Sequence, residues 1–249
     1  MIKKVVVITG AASGIGRATA QLFSLNNYIV VVADRDKGGS EETVRLLKQQ
    51  DSEAEATIIL TDVSRENEVK ELINKTVAKY NRIDVMVNNA GLSAETTRSK
   101  DPLEQYHEII ETNQHGVYYG IQHSAQKMVE IKNGGTIVNL ASVMAYLSTG
   151  GAYAYSSSKA AIVIMTKIAA HMYAEHNIHV VGVAPAGVNT PMLNDLGEEQ
   201  INYFRQQMHG GQLLEPEDIA ELIYFLSSSK ASAVNGSTVF ADDGYLSFK

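Results

Sequence analysis

Hydrophobic and polar positions along this chain alternate between two textures. Short runs rich in Val and Ile recur at 5–9, 29–33, 56–60, 85–88, 136–140, 179–183 and 238–241. Between them lie longer stretches with apolar residues at helical spacing, at 14–25, 41–50, 66–79, 103–132, 152–175 and 216–227. The short runs are continuously apolar, as in strands covered on both faces. This strand–helix–strand alternation predicts an α/β fold with a parallel sheet, right-handed crossovers and helices on both faces. No internal repeat, low-complexity tract or Pro/Ser-rich linker interrupts it, so a single domain over 1–249 is expected. The stretch 190–211 breaks the rhythm: it is polar, with scattered Met192, Leu193, Leu196, Phe204 and Met208, and ends in Gly210-Gly211. So long a connection predicts a lid over a binding site; the plainer alternative is a surface excursion with its own small apolar anchor.

Composition narrows the partners. A net charge of -7 argues against nucleic acid or an anionic membrane surface, both of which want a basic face. It leaves room for an anionic cofactor, because helix N-termini and backbone amides hold phosphate without Lys or Arg. The chain has no cysteine, which excludes disulfides, thiolate nucleophiles and cysteine-based zinc sites. A reducing, cytoplasmic setting fits that usage. The run Val5-Val6-Val7-Ile8 is too short for the apolar region of a signal peptide, and no stretch reaches the length of a membrane span. The histidines show no metal-ligand spacing, so no metal is expected.

Candidate chemistry lies at two places. Thr9-Gly10-Ala11-Ala12-Ser13-Gly14-Ile15-Gly16 follows the first strand and opens the first helix. Gly10, Gly14 and Gly16 permit a tight turn and a close backbone approach, and the helix start offers unpaired N–H groups to a pyrophosphate. The second strand leads to Asp34-Arg35. A carboxylate about 20 residues past the glycines accepts both hydroxyls of an adenosine ribose. It repels a 2′-phosphate by about 4 kcal/mol per charge pair at ~4 Å and an effective dielectric near 20, so NAD is expected over NADP. Arg35 is the counterweight, since a guanidinium pairs with phosphate; Asp34 as a simple turn residue is the plainer alternative.

The second place is Tyr155-Ser156-Ser157-Ser158-Lys159, inside a predicted helix. Residues at i and i+4 share a face, so the phenol and the ammonium meet. A neighbouring cation is expected to lower the phenol toward working pH, where general acid–base catalysis is efficient. Ser142, after the strand at 136–140, is placed to hold a substrate oxygen beside the phenol, or simply to cap a turn. Asn113 stands in the middle of a helical pattern near Gly116, an unfavourable location that points to function or to a bend. Asn88-Asn89-Ala90-Gly91 ends the fourth strand on the rim of the glycine turn.

Taken together these residues resemble the classical short-chain dehydrogenase/reductase family over essentially the whole chain. The matches are Thr9 to Gly16, Asp62-Val63, Asn88 to Gly91, and Asn113, Ser142, Tyr155 and Lys159. The resemblance implies a Rossmann-like domain with strand order 3-2-1-4-5-6-7 and a nicotinamide cofactor. It also implies a catalytic tetrad of Asn113, Ser142, Tyr155 and Lys159. Tyr155 is then the acid or base, Lys159 lowers its pKa and binds the nicotinamide ribose, Ser142 orients the carbonyl, and Asn113 holds a proton-relaying water. The cofactor would contact Gly10, Ser13, Gly14, Ile15, Gly16, Asp34, Asp62, Val63, Asn88, Ala90, Gly91, Val188 and Thr190. The substrate pocket is expected around Ser142, Met144, Tyr146, Ala186, Met192 and the lid. A homotetramer or homodimer through the two long helices is implied as well.

Two departures stand out. Where the family reads Pro-Gly after the sixth strand, this chain reads Pro185-Ala186-Gly187; either Ala186 replaces the glycine or Gly187 takes over its role. The end reads Asp242-Asp243-Gly244, with an Asp in place of one of the family's glycines. The expected function is NAD(H)-dependent hydride transfer between nicotinamide and a small secondary alcohol, hydroxyketone or polyol and its ketone. Competing with it are NADPH-dependent reduction of 3-oxoacyl thioesters and a catalytically silent NAD-binding sensor or scaffold.

Overall fold

The computed structural model describes residues 3–147, 152–194 and 196–247; position 195 of the expected lid lies outside that set. The described residues form a seven-stranded sheet of order β3-β2-β1-β4-β5-β6-β7, and each adjacent pair of strands runs parallel. The strands are β1 (Val5–Thr9), β2 (Ile29–Asp34), β3 (Ala56–Leu60), β4 (Val85–Asn88), β5 (Gly135–Leu140), β6 (Ile178–Pro185) and β7 (Thr238–Ala241). The helices between them are α1 (Gly14–Leu25), α2 (Lys37–Gln50), α3 (Glu66–Tyr80), α4 (Pro102–Ile109), α5 (Gly116–Glu130), α6 (Tyr153–Tyr173), α7 (Pro191–Asn194), α8 (Glu198–Gln207) and α9 (Pro216–Leu226).

Successive strand residues face opposite sides, and each side has its own core. Val5, Val7, Val31, Met86, Ile137 and Val180 pack with Leu72, Ile121 and Ile162 of α3, α5 and α6. Val6, Ile8, Val30, Val32, Val87 and Val181 pack with Phe23, Ile219 and Ile223 of α1 and α9. The central strands are buried on both faces, whereas the edges β3 and β7 are half-exposed. This is why the sequence pattern is continuously apolar in the middle of the sheet.

The long helix expected at 103–132 is not one helix. A wider π-type turn over Ile110–His115 divides it into α4 and α5. The Asn113 amide supplies the cause: its Oδ1 accepts from the Leu92 N–H (2.7 Å), and its Nδ2 donates to the Leu92 carbonyl (2.9 Å). The helix widens where a side chain reaches out to a neighbouring loop, a pattern frequent at functional sites.

The connection at 190–211 also differs from the expected loop, because it carries α7 and α8. Its base is stitched shut: Leu214 N–H donates to the Gly187 carbonyl (3.0 Å) and Asn189 N–H to the Leu214 carbonyl (2.8 Å).

Candidate active site

A parallel sheet leaves its ligand crevice beyond the carboxyl ends of its strands, and here a cleft of about 1180 Å³ lies there. Its walls come from the loops after β1 to β6 together with α4, α6 and the lid.

The glycine turn forms one end. Gly10 has φ +65, and a Cβ there would fall 2.8 Å from the Ala90 Cα. Gly14 has φ +51 and lies against Thr190, the first residue of the lid. A Cβ on Gly16 would collide with the Gly10 carbonyl, so Gly16 lets the helix pack under the turn without itself lining the cleft. The Ser13 hydroxyl makes no capping bond and the first turn of α1 has no acidic residue. Its amides are left for an anion, the arrangement that suits a pyrophosphate.

Three residues outside the expected cofactor contacts hold this turn. Asn89 Nδ2 donates to the Thr9 carbonyl (2.8 Å) and the Gly10 carbonyl (3.1 Å). The Thr9 hydroxyl accepts from the Asn89 and Ala90 N–H groups at 3.0 and 3.1 Å. Arg17 donates to the carbonyls of Ala12 and Gly39 and to the Thr43 hydroxyl, tying the turn to α2. The signal for Asn89 was present, since it stands between two residues already chosen; Arg17 gives none without the fold.

Asp34 lines the cleft, and its carboxylate accepts from the N–H groups of Ala12 (3.0 Å) and Asp36 (2.9 Å). Arg35, Thr61, Asp62 and Val63 share this end. Burial pushes the Asp62 carboxyl up, but two bonds from Ser64 and the charges of Arg35 and Arg65 outweigh it and hold Asp62 below the usual carboxylate range.

Ala90, Gly91, Ile15, Val188 and Thr190 also line the cleft. Asn88 does not: its buried amide donates to Asn139 Oδ1 (2.8 Å), which continues through Asn139 Nδ2 to the Thr166 hydroxyl (3.0 Å). A Cβ on Gly120 would collide with the Asn88 amide, so this polar ladder fixes α5 and α6 on the sheet. The cleft side of that motif belongs to Asn89.

The other end carries Ser142, Tyr155 and Lys159. Tyr155 and Lys159 lie one turn apart on α6, with Nζ 5.6 Å from the phenol ring centre. The Lys159 ammonium is buried and donates to the Leu140 carbonyl at 2.7 Å. Ser142 begins a short 3-10 turn, and its hydroxyl accepts from the Met144 N–H at 3.2 Å. Asn113 sits just behind the cleft wall; its amide is engaged by Leu92 and by the Ser158 hydroxyl (3.2 Å). Gly91 separates it from Lys159: a Cβ there would be 3.4 Å from Asn113 Oδ1 and 3.7 Å from Lys159 Nζ.

The electrostatics differ from the expectation that Lys159 lowers Tyr155. Burial raises the phenol above its ordinary 10.0, the Ser142 hydrogen bond pulls it partly back, and the charge of Glu95 adds to the rise. Lys159 is itself lowered by burial, from 10.5 to about 8. Its ammonium lies 5.6 Å from the phenol ring centre and is bonded to the Leu140 carbonyl.

This has a stability consequence. Between about 8 and 10.5 the unfolded chain holds a proton on this lysine that the folded chain has released. Stability therefore rises with pH across that window, and below it the folded state carries the cost of a buried ammonium. Lys159→Met should flatten the rise toward pH 10 and raise Tm at neutral pH modestly, since relief of a buried ammonium is offset in part by the Leu140 carbonyl losing its donor. Thermal melts of both proteins across that range check it; parallel curves would contradict it.

Met144, Ala186 and Met192, expected in the substrate pocket, line the cleft, as do Leu193, Leu196 and Phe204. Tyr146 does not; it is half-exposed and packs edge-on against Phe240 at 4.8 Å. The Ala186–Gly187 alternative resolves on steric grounds. A Cβ on Gly187 would lie 2.8 Å from Leu213 Cδ2 and 3.3 Å from the Phe204 Cβ, while the Ala186 methyl is accommodated in the cluster around Val143 and Tyr245. Among the described residues no helix is long and apolar enough to cross a membrane, and no group of three acidic, His or Cys side chains forms a metal site.

A cradle for a dinucleotide and a phenol–lysine–serine group thus share one cleft. The family model described as Enoyl-(Acyl carrier protein) reductase matches residues 10–246. A 3-oxoacyl-(acyl-carrier-protein) reductase of Thermotoga maritima is 34% identical over 243 residues, 98% of either chain. A cis-4-hydroxycyclohexanecarboxylate dehydrogenase of Sinomonas cyclohexanicum is 34% identical over 248 residues, 98% of this chain and 96% of that protein. The crystal structure of levodione reductase superposes with a TM-score of 0.93 at 28% identity, covering 99% of this chain and 98% of the other. The chain belongs to the classical short-chain dehydrogenase/reductase family, oxidoreductases that bind a nicotinamide cofactor and act on CH–OH groups or the corresponding carbonyls.

Proposed function

We propose that this protein transfers a hydride between NAD(H) and a small, neutral secondary alcohol or ketone. The observation that carries the reading is that Asp34 and the Ser142–Tyr155–Lys159 group face the two ends of one cleft. The glycine turn and the first amides of α1 would hold the pyrophosphate, Asp34 the adenosine ribose, and Asp62 and Val63 the adenine. Val188 and Thr190 would meet the nicotinamide half. When bound, the nicotinamide accepts or supplies the hydride. In reduction, Ser142 donates a hydrogen bond that orients the carbonyl oxygen, and Tyr155 gives that oxygen its proton. Lys159 holds the ribose side of the site from beneath. Asn113 fixes the Leu92 loop beside them.

A neutral substrate is supported by the charges that line the cleft. Arg35 belongs to the adenosine end and Lys159 is buried against Leu140; toward the substrate, Glu95 brings a negative charge that reaches Tyr155. The relatives named for a hydroxycyclohexanecarboxylate and for levodione support a ring-sized alcohol or ketone, and the second of these is neutral. Assembly into a homodimer or homotetramer is supported by an exposed apolar stripe on α6, where Ile164, Ile168 and Met172 are each about half-exposed, continued by Tyr118 on α5. Four-residue spacing places such a stripe on one helix face.

A second reading, reduction of 3-oxoacyl thioesters with NADPH, is favoured by the similarity to the Thermotoga reductase and by exposed Arg35. One assay separates the two: initial rates with each cofactor against cyclic and acyclic ketones, alcohols and 3-oxoacyl thioesters. A protonated phenol serves reduction at neutral pH, whereas oxidation needs it deprotonated. The expected result is NADH-dependent ketone reduction near neutrality, with oxidation climbing severalfold per pH unit from 6 to 9. Turnover confined to NADPH and thioesters would replace the first reading by the second.

A further inference from the structure

We propose that Asp243 is a positioning residue that latches the lid, setting substrate affinity by holding Phe204 and α8 against the substrate end of the cleft. The inference rests on the reading of that end as the substrate site. α8 buries none of its residues fully and is polar, and a helix of its length is marginal unless something packs on it. What packs on it is the C-terminal segment. Met208, just past α8, is buried in one cluster with Tyr245 and Val143. The rings of Phe204 and Tyr245 stack with centres 6.1 Å apart. Phe204 faces the cleft on its other side, and Val143 is the neighbour of Ser142. Displacement of the tail therefore moves a wall of the pocket.

Two hydrogen bonds close the latch. The His209 N–H donates to the Asp243 carbonyl at 2.9 Å, and the Gly210 N–H donates to the Asp243 carboxylate at 2.6 Å. The second depends on side-chain identity. Asp243 has φ +42, a left-handed conformation that glycine adopts freely and asparagine more readily than most residues. An aspartate there needs a compensating contact, and the Gly210 amide supplies it. This explains both departures from the family pattern as one feature. Asp243 reaches the end of the lid, and Gly187 leaves room for Phe204 of the lid and for Leu213 just beyond it.

The test compares wild type, Asp243→Gly and Asp243→Asn in the full chain. Glycine relaxes the backbone but removes the acceptor; asparagine keeps an acceptor oxygen. Amide hydrogen exchange over 204–211 should quicken about tenfold in the glycine variant and stay within twofold in the asparagine variant, as a lost bond to a charged acceptor implies. With the ketone found by the substrate assay, Asp243→Gly should raise substrate KM about tenfold while kcat and cofactor KM hold within twofold, and Asp243→Asn should restore KM. Unchanged exchange in Asp243→Gly, or equal defects in both variants, overturns the latch. Faster exchange with unchanged substrate KM overturns its role in affinity. If wild type turns over nothing, the functional reading falls and the affinity role with it, while exchange still decides whether Asp243 holds the lid.

Discussion

Tyr155→Phe should lower kcat in both directions by about 10³- to 10⁴-fold, because it removes the group that exchanges a proton with the substrate oxygen. Little else should change. The phenyl ring keeps its place on α6 with the Lys159 ammonium at its face. The hydroxyl removed has burial working against its ionisation, so no buried charge is lost with it. Cofactor affinity, read by fluorescence titration with NADH, should stay within about twofold and Tm within about 2 °C, since no buried volume beyond one oxygen is lost. Ser142→Ala should fall short of this, near 10²-fold, the usual cost of one oriented donor. A Tyr155→Phe enzyme that keeps more than a tenth of its rate would mean the proton comes from elsewhere in the cleft.

The second large effect is expected at Asp34. In wild type, kcat/KM should favour NAD over NADP by about 10³, the factor that ~4 kcal/mol of carboxylate–phosphate repulsion implies. Asp34→Asn keeps an amide oxygen for the Ala12 and Asp36 N–H groups that now bond to the carboxylate. The turn should hold, NAD efficiency should drop about tenfold, and the preference should collapse to within tenfold of parity. Arg35, exposed on the same rim, is free to meet the 2′-phosphate once the repulsion is gone. Steady-state kinetics with both cofactors check this. Equal efficiency in wild type would show that Arg35 already governs the site.

Much of the fold was legible along the chain because it is written in local patterns. Continuous Val/Ile runs located the central strands, and their alternation with helical spacing predicted the parallel sheet now observed. Tyr155 and Lys159 could be paired from helix geometry alone. The misjudged features were long-range. Asn113 in the helical pattern at 103–132 pointed to a function or a bend, but nothing local says that it will bond across to Leu92 and open a π-type turn. The lid reads as polar loop because α8 draws its support from Tyr245, some forty residues away, and not from an apolar face of its own. Asn88 and Asn89 are chemically identical in sequence; the pleat of β4 sends one into the core, toward Asn139, and the other to the glycine turn. Tyr146 belongs to the outer surface with Phe240 for the same kind of reason.

What the chain alone settled, then, is which residues are available and which of them share a helix face or a strand end, since backbone periodicity fixes those relations within a few residues. Tertiary structure decided which groups meet across the sheet and how deeply each is buried. Burial is a sum over distant neighbours. That sum raises Tyr155 and lowers Lys159, a balance that no local pattern along the helix records.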